Sequence, residues 1–516
     1  MKKLKKAVCI ISAVALTSAS SLTFFGCSGG SDEVILRVCN WEEYIDLGDR
    51  DEEELIEVYD DELCPDGILG ENSMVDDFTE WFNSSDFGFN VKVEYSTFGT
   101  NEDLYNRLSL GDNYDLVCPS DYMIMKLVAE NKVQAFSEEF LNAENPENYY
   151  ANYVSPYING IFTEYNWDKL AACYMWGTTG IVYNPEKINE VEDVSTWSIL
   201  TNPDYKRQVT VKDNVRDAYF VALGMLKDEQ LTSLTTSDED SELRSELLND
   251  TDSETIAAAQ EILKAVKENV YSFETDSGKA DMVTGKVIAN YQWSGDAVYI
   301  MDEADGDENN PVELWYSVPD ECTNLWFDGW IMLKDGVNGN DKKQIAAEAF
   351  INYLSRPDNA IRNMYYIGYT SSIAGDLIYD YMDWNYGAVA EDGVDIYEYD
   401  LSYFFGEGYT LDVDAATLEI GDNGEINRGR QLFAQYPTEN IISRSTVMLD
   451  FGEKLSDINQ MWINVRCLDV KDISPATVGI ICGVVGIVAL AICLYAFRYR
   501  LFINYKPKKG YTKVEN

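Results

Sequence analysis

The sequence of 516 residues contains no histidine, and its 39 Lys and Arg residues are outnumbered by 90 Asp and Glu. Without histidine, Ser-His and Cys-His nucleophiles are excluded, and the commonest zinc ligand is missing. The formal net charge of −51 argues against nucleic acid as a partner, because a phosphate backbone is bound by basic surfaces. Carboxylates remain abundant, so glycan hydrolysis by a carboxylate pair stays open as an alternative.

The cysteines are also sparse between the two ends of the chain, and no C-x-x-C pair occurs there. They are Cys39, Cys64, Cys118, Cys173, Cys322 and Cys467. Three disulfides in an exported protein and a set of buried thiols are both compatible with this spacing. Asp412 and Asp414 lack the rest of a calcium-binding loop, so neither a metal nor a cofactor is predicted.

The N-terminus has the pattern of an export signal. Four lysines between Lys2 and Lys6 precede an apolar run from Ala7 to Phe25, which predicts a secretory signal peptide. Cys27 follows a glycine and precedes a short Ser/Gly spacer, as at a lipoprotein cleavage site. We therefore predict a lipoprotein-type signal peptide over residues 1–27, with Cys27 as the lipid anchor.

A second anchor is predicted near the C-terminus. Residues 476–497 form an uncharged apolar stretch, which as a helix would be about 33 Å long and would match a bilayer core of about 30 Å. The basic segment 498–516 that follows is expected to be cytoplasmic. The chain between the two anchors would then lie at the extracytoplasmic face of the cell membrane.

Strand and helix patterns alternate along this acidic segment, which predicts an α/β fold with mostly parallel sheets. The predicted strands are Val34–Val38, Asn90–Tyr95, Tyr114–Pro119, Gln208–Val211 and Val287–Gln292. Ligands of such folds lie beyond the carboxyl ends of the strands. The residues that follow these strands are therefore the candidates for a binding site.

The most informative stretch runs from Asn324 to Trp330. Side chains alternate along a strand, so Trp326 and Asp328 are expected on one face, with an indole beside a carboxylate. That pair suits an organic ammonium group. Similar aromatic, acidic or polar residues end other predicted elements, namely Trp41, Glu43, Tyr44, Ser120, Tyr122, Asp217, Trp293 and Tyr369. Together they fit a linear polyamine, which needs carboxylates for its ammonium groups and flat walls for its methylenes.

These motifs keep their order over residues 34–372, where the chain resembles the spermidine/putrescine-binding proteins of polyamine ABC transporters. The resemblance is carried by Asn40–Tyr44, Tyr114–Tyr122, Trp176–Gly180, Arg216-Asp217, Trp293–Gly295, Trp326–Asp328 and Ile367–Tyr369. It implies a two-lobed type II periplasmic-binding-protein fold, with a hinge and with the ligand in the cleft between the lobes. Lobe 1 is expected over 33–174, completed by 327–372, and lobe 2 over 175–326, completed by 373–465.

The resemblance also implies roles for individual residues. Aromatic contacts are expected from Trp41, Tyr44, Tyr122, Trp293, Trp326 and Tyr369. The expected carboxylates are Glu43, Asp217 and Asp328, with Ser120 as a polar contact. The predicted ligand-binding set also includes Asp121, Asn214 and Glu42. Asn214 stands where the family can carry an Asp, and Glu42 stands where a Thr is familiar.

The implied function is non-enzymatic. The protein is expected to capture spermidine or putrescine outside the membrane and to deliver it to ABC permease subunits and their ATPase. Two alternatives remain from the sequence: an extracytoplasmic sensor that reuses the fold, and a receptor for a different cationic solute.

Overall fold

The computed structural model describes residues 33–306, 311–390, 394–421 and 424–467, together with Ile487, Ile492 and Tyr495. The contacts divide the chain into two units, residues 1–458 and 459–516. The two large sheets and the candidate site lie in the first unit. The predicted signal peptide and lipid anchor lie outside the described residues. So does the predicted membrane span, apart from the three single residues just named.

Eighteen strands, numbered in chain order, occur in the described ranges. They are β1 (Glu33–Trp41), β2 (Asn90–Phe98), β3 (Leu116–Val117), β4 (Val133–Gln134), β5 (Ala172–Gly177), β6 (Thr179–Tyr183), β7 (Val209–Lys212), β8 (Ser272–Glu274), β9 (Ala289–Trp293), β10 (Trp315–Ser317), β11 (Thr323–Asn324), β12 (Trp326–Leu333), β13 (Thr370–Ser371), β14 (Ile396–Asp400), β15 (Thr410–Asp414), β16 (Leu418–Ile420), β17 (Ile426–Gly429) and β18 (Ser445–Thr446).

Two large sheets organise these strands. The first has the order β13-β5-β12-β3-β1-β2, with β4 also paired to β12, and the second has the order β16-β17-β10-β6-β9-β7-β8. The pairs β11-β18 and β14-β15 form two small sheets. Strands β5 and β12 are buried along their whole length, so the core of the first sheet is centred on them.

The α-helices are α1 (Met74–Ser84), α2 (Asn101–Leu110), α3 (Asp121–Ala129), α4 (Tyr149–Tyr153), α5 (Pro156–Glu164), α6 (Val215–Leu226), α7 (Asp228–Leu231), α8 (Asp238–Leu248), α9 (Ser253–Asn269), α10 (Ser277–Val283), α11 (Ser294–Gly306), α12 (Lys334–Val337), α13 (Asp341–Leu354), α14 (Pro357–Ile367), α15 (Asp376–Tyr386), α16 (Ser402–Phe405), α17 (Gln431–Gln435), α18 (Glu439–Ser443) and α19 (Leu455–Arg466). Short 3₁₀ helices cover Glu52–Glu54, Val191–Ser195, Trp197–Thr201, Pro203–Tyr205, Ala415–Thr417 and Gly452–Lys454.

Helix α2 illustrates how local sequence sets these boundaries. The side chain of Thr100 accepts a hydrogen bond from the Asp103 amide at 3.1 Å, which caps the first turn. Gly111 ends the helix with a left-handed φ of 104°, a conformation that glycine adopts without a side-chain clash. The helix follows β2 and carries Asn101 towards the strand ends.

The prediction of mostly parallel sheets is wrong. In the first sheet β1 pairs in parallel with β2 and β3, whereas β12 is antiparallel to β3, β4 and β5. The second sheet repeats this division, with β7 parallel to β8 and β9, and with β6 antiparallel to β9 and β10. The reason is that β6 and β12 each reach their sheet directly from the other one, without a crossover helix.

The chain passes between the two sheets at Thr178, which separates β5 from β6, and again over residues 318–325, which lead from β10 to β12. Among the cysteines that the structure describes, five are buried free thiols: Cys39, Cys64, Cys118, Cys173 and Cys322. No helix in the described ranges has the length and apolar character needed to cross a membrane.

Candidate functional site

Asp328 on strand β12 is the centre of the candidate site. Its carboxylate accepts hydrogen bonds from the Tyr44 hydroxyl to Oδ2 at 2.8 Å and from Ser120 Oγ to Oδ1 at 2.6 Å. Tyr44 follows the end of β1, and Ser120 precedes α3 just after β3. Three separate segments therefore meet at one carboxylate.

The Asp328 carboxyl is buried, with only 7% of the residue exposed. Burial raises its pKa to about 6, although the hydrogen bonds from Ser120 and Tyr44 act in the opposite direction. No ion pair to Asp328 is found in the part of the chain that the structure describes. A buried carboxylate held only by hydroxyl groups retains most of its negative potential.

Three aromatic rings lie next to this carboxylate. The Tyr369 ring is 4.9 Å from that of Tyr44 and 5.8 Å from that of Trp326, edge to face in both cases. The Trp326 indole is fixed by a hydrogen bond from Nε1 to the Thr178 carbonyl at 3.0 Å. Gly295 lets Tyr369 approach closely, because a Cβ at that position would lie 2.4 Å from the tyrosine ring.

A second buried carboxylate comes from Asp217 in the first turn of α6. The Trp293 Nε1–H and the Tyr291 hydroxyl donate to its Oδ1, at 3.3 and 3.4 Å. Burial raises the pKa of Asp217 to about 6, against these hydrogen bonds and the charges of Lys212 and Arg216. Like Asp328, it forms no ion pair with any described residue.

A third carboxylate, Asp296, was not among the predicted site residues. The Tyr369 hydroxyl donates to its Oδ1 at 2.9 Å, which joins it to the aromatic cluster around Asp328. Its oxygens also lie 3.0 Å from Lys212 Nζ and 3.3 Å from Lys279 Nζ. The sequence signal that could have found it is its position three residues after Trp293, at the start of α11.

Two cationic side chains that were not predicted as site residues lie over aromatic rings that were predicted as ligand contacts. The Arg216 guanidinium lies 3.5 Å from the centre of the Tyr122 ring and 4.2 Å from that of Phe451. It also donates to the Leu449 carbonyl at 2.9 Å and to Asp450 at 3.3 Å. The Lys212 ammonium lies 4.2 Å from the centre of the Trp293 ring.

Two of the predicted polar residues accept hydrogen bonds from backbone amides. Asp121 accepts the amides of Tyr122 at 2.6 Å and Phe327 at 3.2 Å, and burial raises its pKa to about 8. Its carboxyl therefore joins the start of α3 to β12. Asn214 caps α6 by accepting the Arg216 amide at 2.8 Å.

Asn101, which was not among the predicted site residues, donates to both Ser120 Oγ, at 3.0 Å, and the Tyr122 hydroxyl, at 2.9 Å. The remaining predicted residues are Trp41, Glu42 and Glu43. Trp41 is half-buried with its ring 4.7 Å from that of Phe98, and its buried Nε1 has no hydrogen-bond partner among the described residues. Glu42 and Glu43 are exposed in the turn after β1.

The arrangement is suited to binding an organic cation. Asp328 and Asp217 supply negative charge in a desolvated setting, and Tyr44, Trp326 and Tyr369 supply apolar and aromatic surface. The model of the bacterial extracellular solute-binding protein family matches residues 73–375, more than half of the chain. The chain belongs to this family. Its matched residues include both of these carboxylates and most of the aromatic cluster.

Named relatives agree with this membership. The spermidine/putrescine-binding periplasmic protein of Salmonella typhimurium is 28% identical over 281 residues, which cover 54% of this chain and 70% of the relative. The putrescine-binding periplasmic protein SpuD of Pseudomonas aeruginosa is 24% identical over 355 residues, 67% of this chain and 79% of that protein.

A solved structure supports the fold. The spermidine/putrescine ABC transporter substrate-binding protein PotD of Streptococcus pneumoniae aligns with a TM-score of 0.52 at 22% identity, covering 84% of this chain and 99% of that one. The predicted two-lobed α/β fold of periplasmic-binding-protein type is confirmed by this likeness. The individual ligand contacts stay predictions.

Proposed function

We propose that this protein binds a linear polyamine in the cleft between two lobes and delivers it to an ABC permease and its ATPase at the extracytoplasmic face of the membrane. The proposal rests on the surroundings of Asp328. This residue is a buried carboxylate with two hydroxyl donors, an aromatic surround and no ion pair among the described residues.

Such a carboxylate is unfavourable in the empty protein, because burial penalises its ionised form. A ligand ammonium would remove that penalty by supplying the missing positive charge, while the rings of Trp326, Tyr44 and Tyr369 cover the adjoining methylene groups. A neutral sugar would leave the charge uncompensated. The same reasoning makes Asp217, beside Trp293, the partner of the second ammonium group.

The names of the relatives support this class of ligand. Both the Salmonella and the Pseudomonas proteins are called putrescine-binding, and the first is also called spermidine-binding. The rest of the predicted ligand set comes into the proposal as wall and rim residues: Trp41, Glu42, Glu43, Ser120 and Tyr122. Asp121 and Asn214, whose side chains accept backbone amides, would act by positioning α3 and α6.

The two sheets support the lobe division as a proposal. Lobe 1 would comprise residues 33–177 with 326–372, and lobe 2 residues 179–317 with 373–465, with the hinge at Thr178 and at residues 318–325. Two of the three transitions between the large sheets fall at those positions, and the third lies between β13 and β16. The boundary expected at 174/175 falls within β5, whose pairing puts it entirely in the first sheet. Saturating polyamine is expected to lower the radius of gyration in X-ray scattering, since closure brings the lobes together.

Membrane attachment is proposed from the sequence. Cys27 would carry a lipid after removal of residues 1–26, and residues 476–497 would cross the membrane, with the basic tail 498–516 in the cytoplasm. Deletion of 476–516 should leave the protein membrane-bound through the lipid, and Cys27→Ala should leave it bound through the helix. Release by either single change, measured by fractionation, contradicts two independent anchors.

The ligand is tested by isothermal titration calorimetry of the purified full-length chain against putrescine, spermidine, lysine and maltose. We expect saturable binding of at least one polyamine and none of maltose. Asp328→Asn should weaken polyamine binding by about 2–5 kcal/mol, roughly thirty-fold to several-thousand-fold, because it removes the counter-ion of a desolvated ammonium.

Asp66→Asn is the matched control, since Asp66 is an exposed carboxylate. A diffuse effect of surface charge would make the two Asp variants lose similar, small and salt-dependent amounts of affinity. Equal losses with both variants folded would overturn the site. Absence of any polyamine binding by the unmodified protein would overturn the proposed function.

A further inference from the structure

Lys212 on β7 has the surroundings that the candidate site offers to a ligand ammonium. Its Nζ lies 4.2 Å from the centre of the Trp293 ring, 3.0 Å from Asp296 Oδ2 and 3.0 Å from the Thr275 carbonyl. The residue is only 1% exposed. An indole face and a carboxylate thus bind a cation here, and this cation is the protein's own lysine side chain.

Asp296 is fully compensated by this arrangement. Lys279 Nζ lies 3.3 Å from its Oδ1, so two lysines face one carboxylate, and the Tyr369 hydroxyl donates to the same oxygen. Burial alone would raise the pKa of Asp296, but Lys212 and Lys279 outweigh it and hold the pKa below its usual value. The negative charge of Asp296 is therefore already neutralised by lysines of the protein, so it does not attract a further cation.

Lys212 is also linked to the other two carboxylates through shared aromatic rings. Trp293, whose face it covers, donates through Nε1 to Asp217. Tyr369, which binds Asp296, packs against Tyr44 and Trp326 beside Asp328. Of the three buried carboxylates linked through these rings, only Asp328 and Asp217 lack an ion pair within the described ranges.

We propose, building on the proposed polyamine function, that Lys212 is a specificity-determining residue that selects linear diamines over triamines. Its ammonium occupies the place beside Trp293 and Asp296 where a longer polyamine would place an additional ammonium group. A diamine supplies one charge for Asp328 and one for Asp217. A third ligand charge meets Lys212 in a desolvated region, where like charges repel strongly and Asp296 is already paired.

The test compares putrescine and spermidine by calorimetry at pH 7.5 on the purified full-length chain and on its Lys212→Met variant. The unmodified protein should bind putrescine at least tenfold more tightly than spermidine. In Lys212→Met the side chain keeps most of its length without its charge, and Lys279 remains to pair with Asp296. The spermidine-to-putrescine ratio of Kd values should then fall at least tenfold.

Lys286→Met is the charge-matched control, because the exposed Lys286 forms an ion pair with Asp281 and its loss should leave the ratio within about threefold. An unchanged ratio in Lys212→Met, with putrescine still bound, overturns the assignment of Lys212 alone. If that variant does not fold, the preference of the unmodified protein decides, and a tenfold preference for spermidine overturns the inference. Failure of the unmodified protein to bind either amine overturns the proposed function as well.

Discussion

Asp328 and Asp296 are two buried carboxylates that contact the same cluster of aromatic rings, but the groups that pair with them differ. Asp296 has Lys212 and Lys279 within 3.3 Å, whereas Asp328 receives hydroxyl hydrogen bonds from Tyr44 and Ser120. Their pKa values move in opposite directions, downwards for Asp296 and up to about 6 for Asp328. Asp296 is therefore paired within the fold, whereas Asp328 is the carboxylate that we propose for an external cation.

The largest expected effect is a loss of stability when the carboxylate of Asp296, which is paired with two lysines, is removed. Asp296→Asn leaves Lys212, which is 1% exposed, without the carboxylate that forms its ion pair. Breaking a buried pair in this way costs about 3–5 kcal/mol of unfolding free energy. Chemical denaturation at pH 7.5 measures it, and a loss below about 1 kcal/mol would contradict the pairing.

At Asp328, removal of the carboxylate is expected to raise the unfolding free energy instead of lowering it. Its pKa in the folded state, about 6, lies above the 3.8 of the unfolded chain, so the ionised carboxylate destabilises the empty protein above pH 6. That penalty amounts to about 3 kcal/mol and disappears as the pH falls from 6 towards 3.8. Asp328→Asn should therefore raise the unfolding free energy at pH 7.5 while it weakens ligand binding. Equal destabilisation by Asp328→Asn and Asp296→Asn would erase the contrast between the two sites.

Ligand affinity should depend on pH through Asp328 and Asp217, the two carboxylates of the candidate site that form no ion pair with a described residue. Asp328 and Asp217 both have pKa values of about 6, so both are largely protonated at pH 5. Protonation of each lowers the affinity for an ammonium by about tenfold at that pH, while the amine stays charged. Polyamine titrations at pH 5 and 7.5 measure this loss, and Asp328→Asn should remove about half of it on a logarithmic scale. An unchanged affinity at pH 5 would contradict the ionised form as the binding form.

The smallest expected effect concerns the aromatic wall. Trp326→Leu removes a cation–π contact and part of the apolar surface next to Asp328, and should weaken polyamine binding by about 1–3 kcal/mol. Trp384→Leu is the control, because Trp384 is an exposed indole on α15. A similar loss from both Trp variants would remove the indole from the ligand site.

Much of the candidate site could be predicted from sequence because its residues lie at or near the ends of strands. Tyr44 and Ser120 follow β1 and β3, Asp328 lies near the start of β12, and the three form one hydrogen-bonded group. The bounds of α2 were equally accessible, since its capping threonine and terminal glycine lie within the segment itself. Local signals of this kind need no knowledge of distant contacts.

Other features depended on the path of the chain. Strand periodicity carries no information on direction, so the antiparallel entry of β6 and β12 was missed. Asp121 had the same polar-aromatic context as the ligand candidates. Only the packing of α3 against β12 turned its carboxyl towards the Tyr122 and Phe327 amides.

Residue identity and order were enough to establish the family, the acidic and aromatic character of the candidate site, and the exclusion of histidine chemistry. Which carboxylates are compensated emerged only in the folded chain. Lys212 and Asp296 are separated by 84 residues, and Arg216 at the start of α6 reaches the ring of Tyr122 on α3. Charge compensation acts over a few ångströms in a desolvated interior, so it follows the distances that folding creates and not the spacing of residues along the chain.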